Sequence, residues 1–226
     1  MMKDDEAAIT AGLAPARPAG LDRRRRRREE TINEILGTAV QVMTEEGVAG
    51  LSLSEVARRM GIQPPSLYKY FPSKVALYDA LFLRGAQETL DAFSAAAAEA
   101  EPGWNALVAG TEAVIRLGLD HQVVAELLNW RPVPGFEPSP QAFAPSVEFV
   151  HKIAQQLEIA AARGELDPAA ASEEGLALLS VLIAGVFSQQ LANEPHATFQ
   201  QGRYTRLTSR VLELFRSAYP LKEGEQ

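Results

Sequence analysis

Apolar positions recur at helical spacing along most of this chain. Ile32, Ile35, Leu36, Ala39, Val40 and Met43 form one stripe that Gly47 closes, predicting an amphipathic first helix. Ser52 stands three residues before Glu55, the spacing of a reciprocal capping box, so a second helix is expected from Leu53. In it Val56, Ala57 and Met60 face inward, Arg58 and Arg59 face outward, and Gly61 supplies the left-handed residue that ends it. Pro64 and Pro65 fit only the first turn of a new helix, where the N–H they lack would have no partner. That helix is placed at Ser66 to Phe71, with Pro72 stopping it and Ser73 capping the next at Lys74. Two short helices with a three- or four-residue turn result, the pattern of a DNA-reading helix-turn-helix.

Downstream the pattern stays helical. Lys74 to about Glu99 is one long helix with Leu77, Leu81, Leu90 and Phe93 inward, broken at Pro102-Gly103. Trp104 to Leu119 and Gln122 to Trp130 follow as apolar segments. The proline-rich stretch RPVPGFEPSPQAFAP, residues 131–145, is then expected to be irregular, with helix resuming near Ser146 and ending at Gly164. The last two helices are predicted at Ala169 to Ala192 and Thr198 to Tyr219. The first of them is apolar around most of its girth, which implies a partner surface beyond its own domain. Leu182, Val186 and Phe187, with Val211 and Phe215 on the last helix, are the residues expected at that surface.

The ordered run from Glu29 to Phe82, with its amphipathic helix ending in E-x-G, Ser-led second helix, Gly-Ile turn, S-L-Y-x-Y-F and F-P-S-K, resembles the DNA-binding domain of tetracycline-repressor-like (TetR family) regulators. The resemblance implies an all-α fold: an N-terminal three-helix helix-turn-helix domain followed by a helical ligand-binding and dimerisation domain. Carried over position by position, it places Gln63, Pro64, Ser66 and Lys69 at base edges or a thymine methyl, and Ser52, Tyr68, Tyr70 and Lys74 at phosphates. Leu67 and Phe71 are left in the core. Where the family often has Lys-Gly this chain has Pro64-Pro65, favouring apolar contact. The resemblance also implies a dimer bundle built from the last two helices, the alternative being a purely internal helical hairpin. Trp130 to Pro140 is similar to a segment of the family's Trp-His-Gly subgroup, although Ala184-Gly185, the equivalent of that signature, lacks its tryptophan and histidine.

Charge refines this picture. The chain of 226 residues carries a net charge of −7, a poor total for a phosphate binder. Residues 23–80, however, hold ten basic and seven acidic residues, a net of +3, against a net of −8 over 81–226. Positive charge is concentrated at the helix-turn-helix end. Much of it is the six-arginine run Arg23 to Arg28, which is either a solvated tail or an arm on phosphates or in the minor groove; Arg24, Arg26 and Arg28 are its candidate contacts. The organisation expected is a disordered tail over 1–22, a basic arm over 23–28, the helix-turn-helix over 29–74, a helical body over 75–220 and a short tail over 221–226.

The absence of cysteine excludes disulfides and thiolate metal sites and suits a reducing cytoplasm. No apolar run is expected to reach the length of a membrane span. His121, His151 and His196 lack metal-ligand spacing, and no G-x-S-x-G, G-x-G-x-x-G or phosphate-loop motif is present. The sequence therefore calls for no cofactor, no metal and no enzyme. A small-molecule effector is expected among Trp104, Leu107, His121, Trp130, Phe136, Phe143 and His151. With charge available only from Arg116, His121, Glu126, Arg131 and His151, it should be hydrophobic or aromatic. The expectation is a homodimeric, ligand-released repressor on operator DNA. The alternatives are an architectural DNA-binding protein, which a body without a cavity would favour, and a helical enzyme, which turnover of a bound metabolite would reveal.

Overall fold

The computed structural model describes residues 19–221, with side chains from Arg23 onward. The tails expected over 1–22 and 221–226 lie outside the described residues, except for the helical stretch 19–22 and Leu221. Nine α-helices and no strand occur among the described residues. They are α1 (Ala19–Glu46), α2 (Leu53–Arg59), α3 (Pro64–Leu67), α4 (Lys74–Ala98), α5 (Trp104–Asp120), α6 (Gln122–Asn129), α7 (Pro140–Ala162), α8 (Glu173–Asn193) and α9 (Thr208–Ala218).

The stripe read from α1 is the one that packs. Ile35, Leu36, Ala39 and Met43 are buried with Val56, Ala57, Leu67 and Phe71 in a first core. The same core takes in Leu77, Tyr78, Leu81, Phe82 and Ala86 of α4, Leu127 of α6, and Phe136 and Ala142 beyond it. Head and body are thus joined by continuous apolar packing. A second core gathers Phe93, Trp104, Leu107, Leu157, Leu212 and Phe215, and a third gathers Ile115, Leu119, Ala125 and Phe187. Helix α4 packs most extensively on α5 and α7, and α8 on α9, while α7 and α8 share no extended contact.

Several expected boundaries move. The arginine run is no extended arm but the opening turns of α1, which is one continuous helix. Helix α7 begins at Pro140, not near Ser146: the Ser139 hydroxyl accepts from the Ala142 N–H, Pro140 takes the first turn, and Pro145 is tolerated within. Ahead of α8 a 3-10 turn over Pro168–Ala171 intervenes, and Ser172 caps the helix proper. Helix α9 starts at Thr208, ten residues later than expected. The fully buried Gln190 explains this: its Oε1 accepts from the backbone N–H groups of Tyr204 and Thr205, and its Nε2 donates to the Glu194 carbonyl. A side chain that satisfies loop backbone removes the incentive for helix there.

Helix α8 also corrects the reading that no segment reaches spanning length. An 18-residue stretch within Glu173–Asn193 has a mean hydropathy of 1.7, enough by length and composition to cross a membrane. Only 22% of that window is buried. Its inner face holds Leu179, Val186 and Phe187, and its outer face leaves Leu178 and Val181 exposed.

Candidate nucleic-acid interface and effector cavity

The helix-turn-helix is held by backbone geometry at its turn. Gly61 takes φ +67, the Ile62 N–H reaches the Ala57 carbonyl at 3.0 Å, and the Gly61 N–H reaches that of Arg58 at 3.2 Å. This pair of bonds closes α2 and reverses the chain without a side-chain cap. Gln63 is extended (φ −74, ψ 139), and Pro64 and Pro65 fill the first turn of α3. Helix α3 itself is short, Pro64–Leu67, and continues as turns in which the Tyr70 and Phe71 N–H groups both bond to the Leu67 carbonyl. Leu67 and Phe71 are buried, as expected.

The proposed capping box does not form. Ser52 precedes α2 in extended conformation, but its hydroxyl accepts no cap hydrogen bond. Glu55 turns instead to the guanidinium groups of Arg58 and Arg59, at 2.7 Å each. Arg59 also reaches Glu45 at 2.8 Å on α1. Hydrogen bonds from Arg58 and then Arg59 hold the Glu55 carboxyl down at about 2. Arginine, a better ion-pair partner than a capping N–H, wins this carboxylate.

Around this frame Gln63, Tyr68 and Lys69 are exposed, and Ser52, Pro64, Ser66 and Tyr70 half-buried. The Lys74 ammonium donates to the Ala49 carbonyl at 2.9 Å and sits 5.4 Å from the Tyr78 ring centre, so one of its three donors is already used. The Arg28 guanidinium lies 5.1 Å above the Tyr70 ring, joining the arginine run to the turn after α3. Arg24 and Arg26 are exposed.

A cavity of about 380 Å³ lies between α4, α5, α6, α7 and α8. Its walls are mostly apolar, including Phe82, Ile115, Val124, Phe149, Ile153, Leu179 and Phe187; polar groups come from Glu88, Thr89, Thr111, His121, Asn129, Ser146 and Ser180. Of the seven expected ligand residues, only His121 and Phe143 line it. Trp104 and Leu107 belong to the second core, where Trp104 stacks on Phe215 with ring centres 6.4 Å apart. Phe136 packs on Tyr78 and Phe82 in the first core, Trp130 stacks on the outer side of Phe187, and His151 is exposed beside Glu148. Sequence reasoning missed the α4 wall, although Gly85 and Ala86, two small residues within an apolar helix, mark it. Among the described residues no cluster of three metal-ligating side chains occurs.

Burial divides the residues expected at the dimer surface. Phe215 is fully buried, and Val186 and Phe187 are each 8% exposed, so all three serve the interior of this chain. Leu182 and Val211 are half-buried. The exposed apolar side chains on α8 and beside or on α9 are Leu178, Val181, Leu207 and Leu214.

Fold and site together define a helix-turn-helix protein with an all-helical, cavity-bearing body. This chain matches the sequence profile of the bacterial regulatory proteins of the tetR family over residues 35–81. It is 43% identical over 49 residues to the class A tetracycline repressor of transposon 1721 from Escherichia coli; the match spans 22% of this chain and 23% of that repressor, about a quarter of its length. A TetR family transcription regulator from Marinobacter aquaeolei VT8 shares the fold with TM-score 0.66 and 16% identity, over 88% of this chain and 100% of that one. Bacillus subtilis FadR, a transcriptional regulator solved in complex with stearoyl-CoA, does so with TM-score 0.64 and 17% identity, over 81% and 97%.

Proposed function

We propose that this protein is a cytoplasmic, homodimeric, sequence-specific DNA-binding transcriptional regulator, a repressor released from a palindromic operator by a small apolar effector. Lys69, Gln63, Pro64 and Ser66 would meet base edges, and Ser52, Tyr68, Tyr70 and Lys74 phosphates. The observation that carries the switch is the double membership of Phe82 and Ala86 on α4. Both line the cavity, and both belong to the core that holds Leu67 and Phe71 beneath the recognition element. A ligand that repacks Phe82 therefore acts on the packing that sets the attitude of α3. Two such heads must present their recognition helices about 34–36 Å apart, so a small tilt of each breaks the fit to successive major grooves.

The cavity has the size of a small-molecule site. Among the described residues no lysine or arginine lines it, so a phosphorylated effector would bury charge without a counterion. Of the stearoyl-CoA bound to FadR, only the apolar acyl chain is in keeping with such a cavity, since its coenzyme A part is phosphorylated. The test is selection of bound duplexes from a random library, then titration of the recovered site with and without a compound found in the purified protein by native mass spectrometry. Expected are an enriched palindrome and operator affinity lowered about 5- to 150-fold by the compound, with its own affinity lowered equally by operator. No enriched sequence would refute specific DNA reading; unchanged operator affinity would refute release by ligand.

A further inference from the structure

We propose that one face of the arginine-rich opening of α1, carrying Arg24 and Arg28, is a second DNA contact that grips duplex phosphates flanking those held by the helix-turn-helix. This rests on the DNA-binding reading above and adds a surface to it. An extended arm would present alternate residues, grouping Arg24, Arg26 and Arg28. In the helix observed, Arg24 and Arg28 lie about 40° apart around the axis and Arg26 about 200° from Arg24. Continued along the helix, the Arg24–Arg28 line runs into the stripe of Ile32, Ile35 and Ala39 that packs against the head. These two arginines are therefore on the head side, and Arg23 and Arg26 face away from it.

Arg28 fixes the relation to the recognition element, its guanidinium resting 5.1 Å over the Tyr70 ring. Arg24 stands one turn, about 6 Å, farther out along the same line. Both are exposed, whereas Arg25, which also lies toward the Ile32 stripe, is engaged with Glu29 at 2.8 Å. Nothing intrinsic favours six like charges here. The segment from Arg23 to Glu30 buries no side chain, and cations at a helix amino terminus oppose the helix dipole. A polyanion on the head side would relieve that repulsion, and Tyr70, proposed above for a phosphate, stands on that side beside Arg28.

The experiment measures binding of full-length protein to a mixed-sequence duplex of about 30 base pairs across a salt series. Two variants each remove two positive charges: Arg24→Ala with Arg28→Ala, and Arg23→Ala with Arg26→Ala. Alanine preserves the helix, and none of the four positions touches a core. The first variant should reduce the slope of log affinity on log salt by about two, and the second by less than about one half. Arg24→Lys with Arg28→Lys should restore the slope. Equal slopes in the two alanine variants, whether both reduced or both unchanged, would overturn the proposal while leaving the DNA-binding reading intact. Failure of the wild type to bind the duplex at any salt would overturn both.

Discussion

Asp79 receives Ser139 twice: its carboxylate accepts the Ser139 backbone N–H at 2.6 Å and the Ser139 hydroxyl at 2.8 Å. The same serine oxygen accepts the Ala142 N–H that opens α7. One carboxylate on the head-proximal part of α4 thereby anchors the helix that forms a wall of the cavity. Asp79→Ala leaves a half-buried N–H without its acceptor and should cost about 1–3 kcal/mol. Asp79→Asn, which keeps one acceptor oxygen, should cost less. Urea denaturation midpoints at constant slope measure both, and a silent Asp79→Ala would show the clasp to be ornamental.

Glu55 gives a pH dependence. Its carboxyl is lowered from 4.5 to about 2 by hydrogen bonds from Arg58 and Arg59. A depressed carboxylate stabilises the fold fully above the unfolded value, and that contribution is lost as pH falls from about 4.5 toward 2. Glu55→Gln should therefore flatten the acid limb of stability within that window and leave its shape above pH 5 unchanged. Parallel acid titrations of wild type and variant followed by circular dichroism would decide it.

In the recognition element, Tyr68→Phe removes only a hydroxyl from an exposed ring and should weaken binding to all duplexes alike. Lys69→Ala should cost about 1–3 kcal/mol on the preferred site and narrow the gap between preferred and random DNA. Competition binding at fixed salt separates the two behaviours; wild-type affinity in both variants would remove these residues from the interface.

The self-association surface is testable by contrast. Val181 is 68% exposed and Leu214 59% exposed, whereas Phe187 fills the third core. Val181→Glu should leave a folded monomer and raise the dimer dissociation constant at least about a hundredfold, since it buries an unpaired charge only in the dimer. Phe187→Glu should unfold the chain. Sedimentation of the two variants is the measurement, and a Val181→Glu protein that remains dimeric would place the interface elsewhere.

At Gly85 an added Cβ would stand 2.4 Å from Val124 Cγ1 on α6. Gly85→Ala should consequently push α6 away from α4, costing about 1–3 kcal/mol. Because Leu127 of α6 belongs to the head's core, operator affinity should fall even without effector. Retained affinity and stability would mean that α6 yields without consequence for the head.

The helix-turn-helix was legible because its signals are local: Gly61, the paired prolines and the Ser73 cap each dictate conformation within a few residues. The long helix α4 was legible for the same reason. What escaped depends on partners distant in sequence. Glu55 is the exception: its partners Arg58 and Arg59 lie only three and four residues on along α2, and such local spacing is open to a cap and to an ion pair alike. Gln190 gives no sign from its neighbours that it organises a loop fourteen and fifteen residues away. On α8, nearly apolar all round, periodicity cannot say which face is inward, and the residues chosen were the inner ones. Residue type alone cannot tell a ligand wall from a core, and of the aromatic residues expected at the ligand Trp104 and Phe136 fill cores instead.

The first core, drawn from α1, α2, α3, α4, α6 and the segment around Phe136, makes the reading head unfit for transplantation. A fragment cut after Phe82 would leave behind Leu127, Phe136 and Ala142 and present raw apolar surface to water. Grafting this head onto a foreign body would demand re-creating that seam, so exchange of DNA specificity in such a protein should proceed by substitutions within α3 and not by shuffling whole domains.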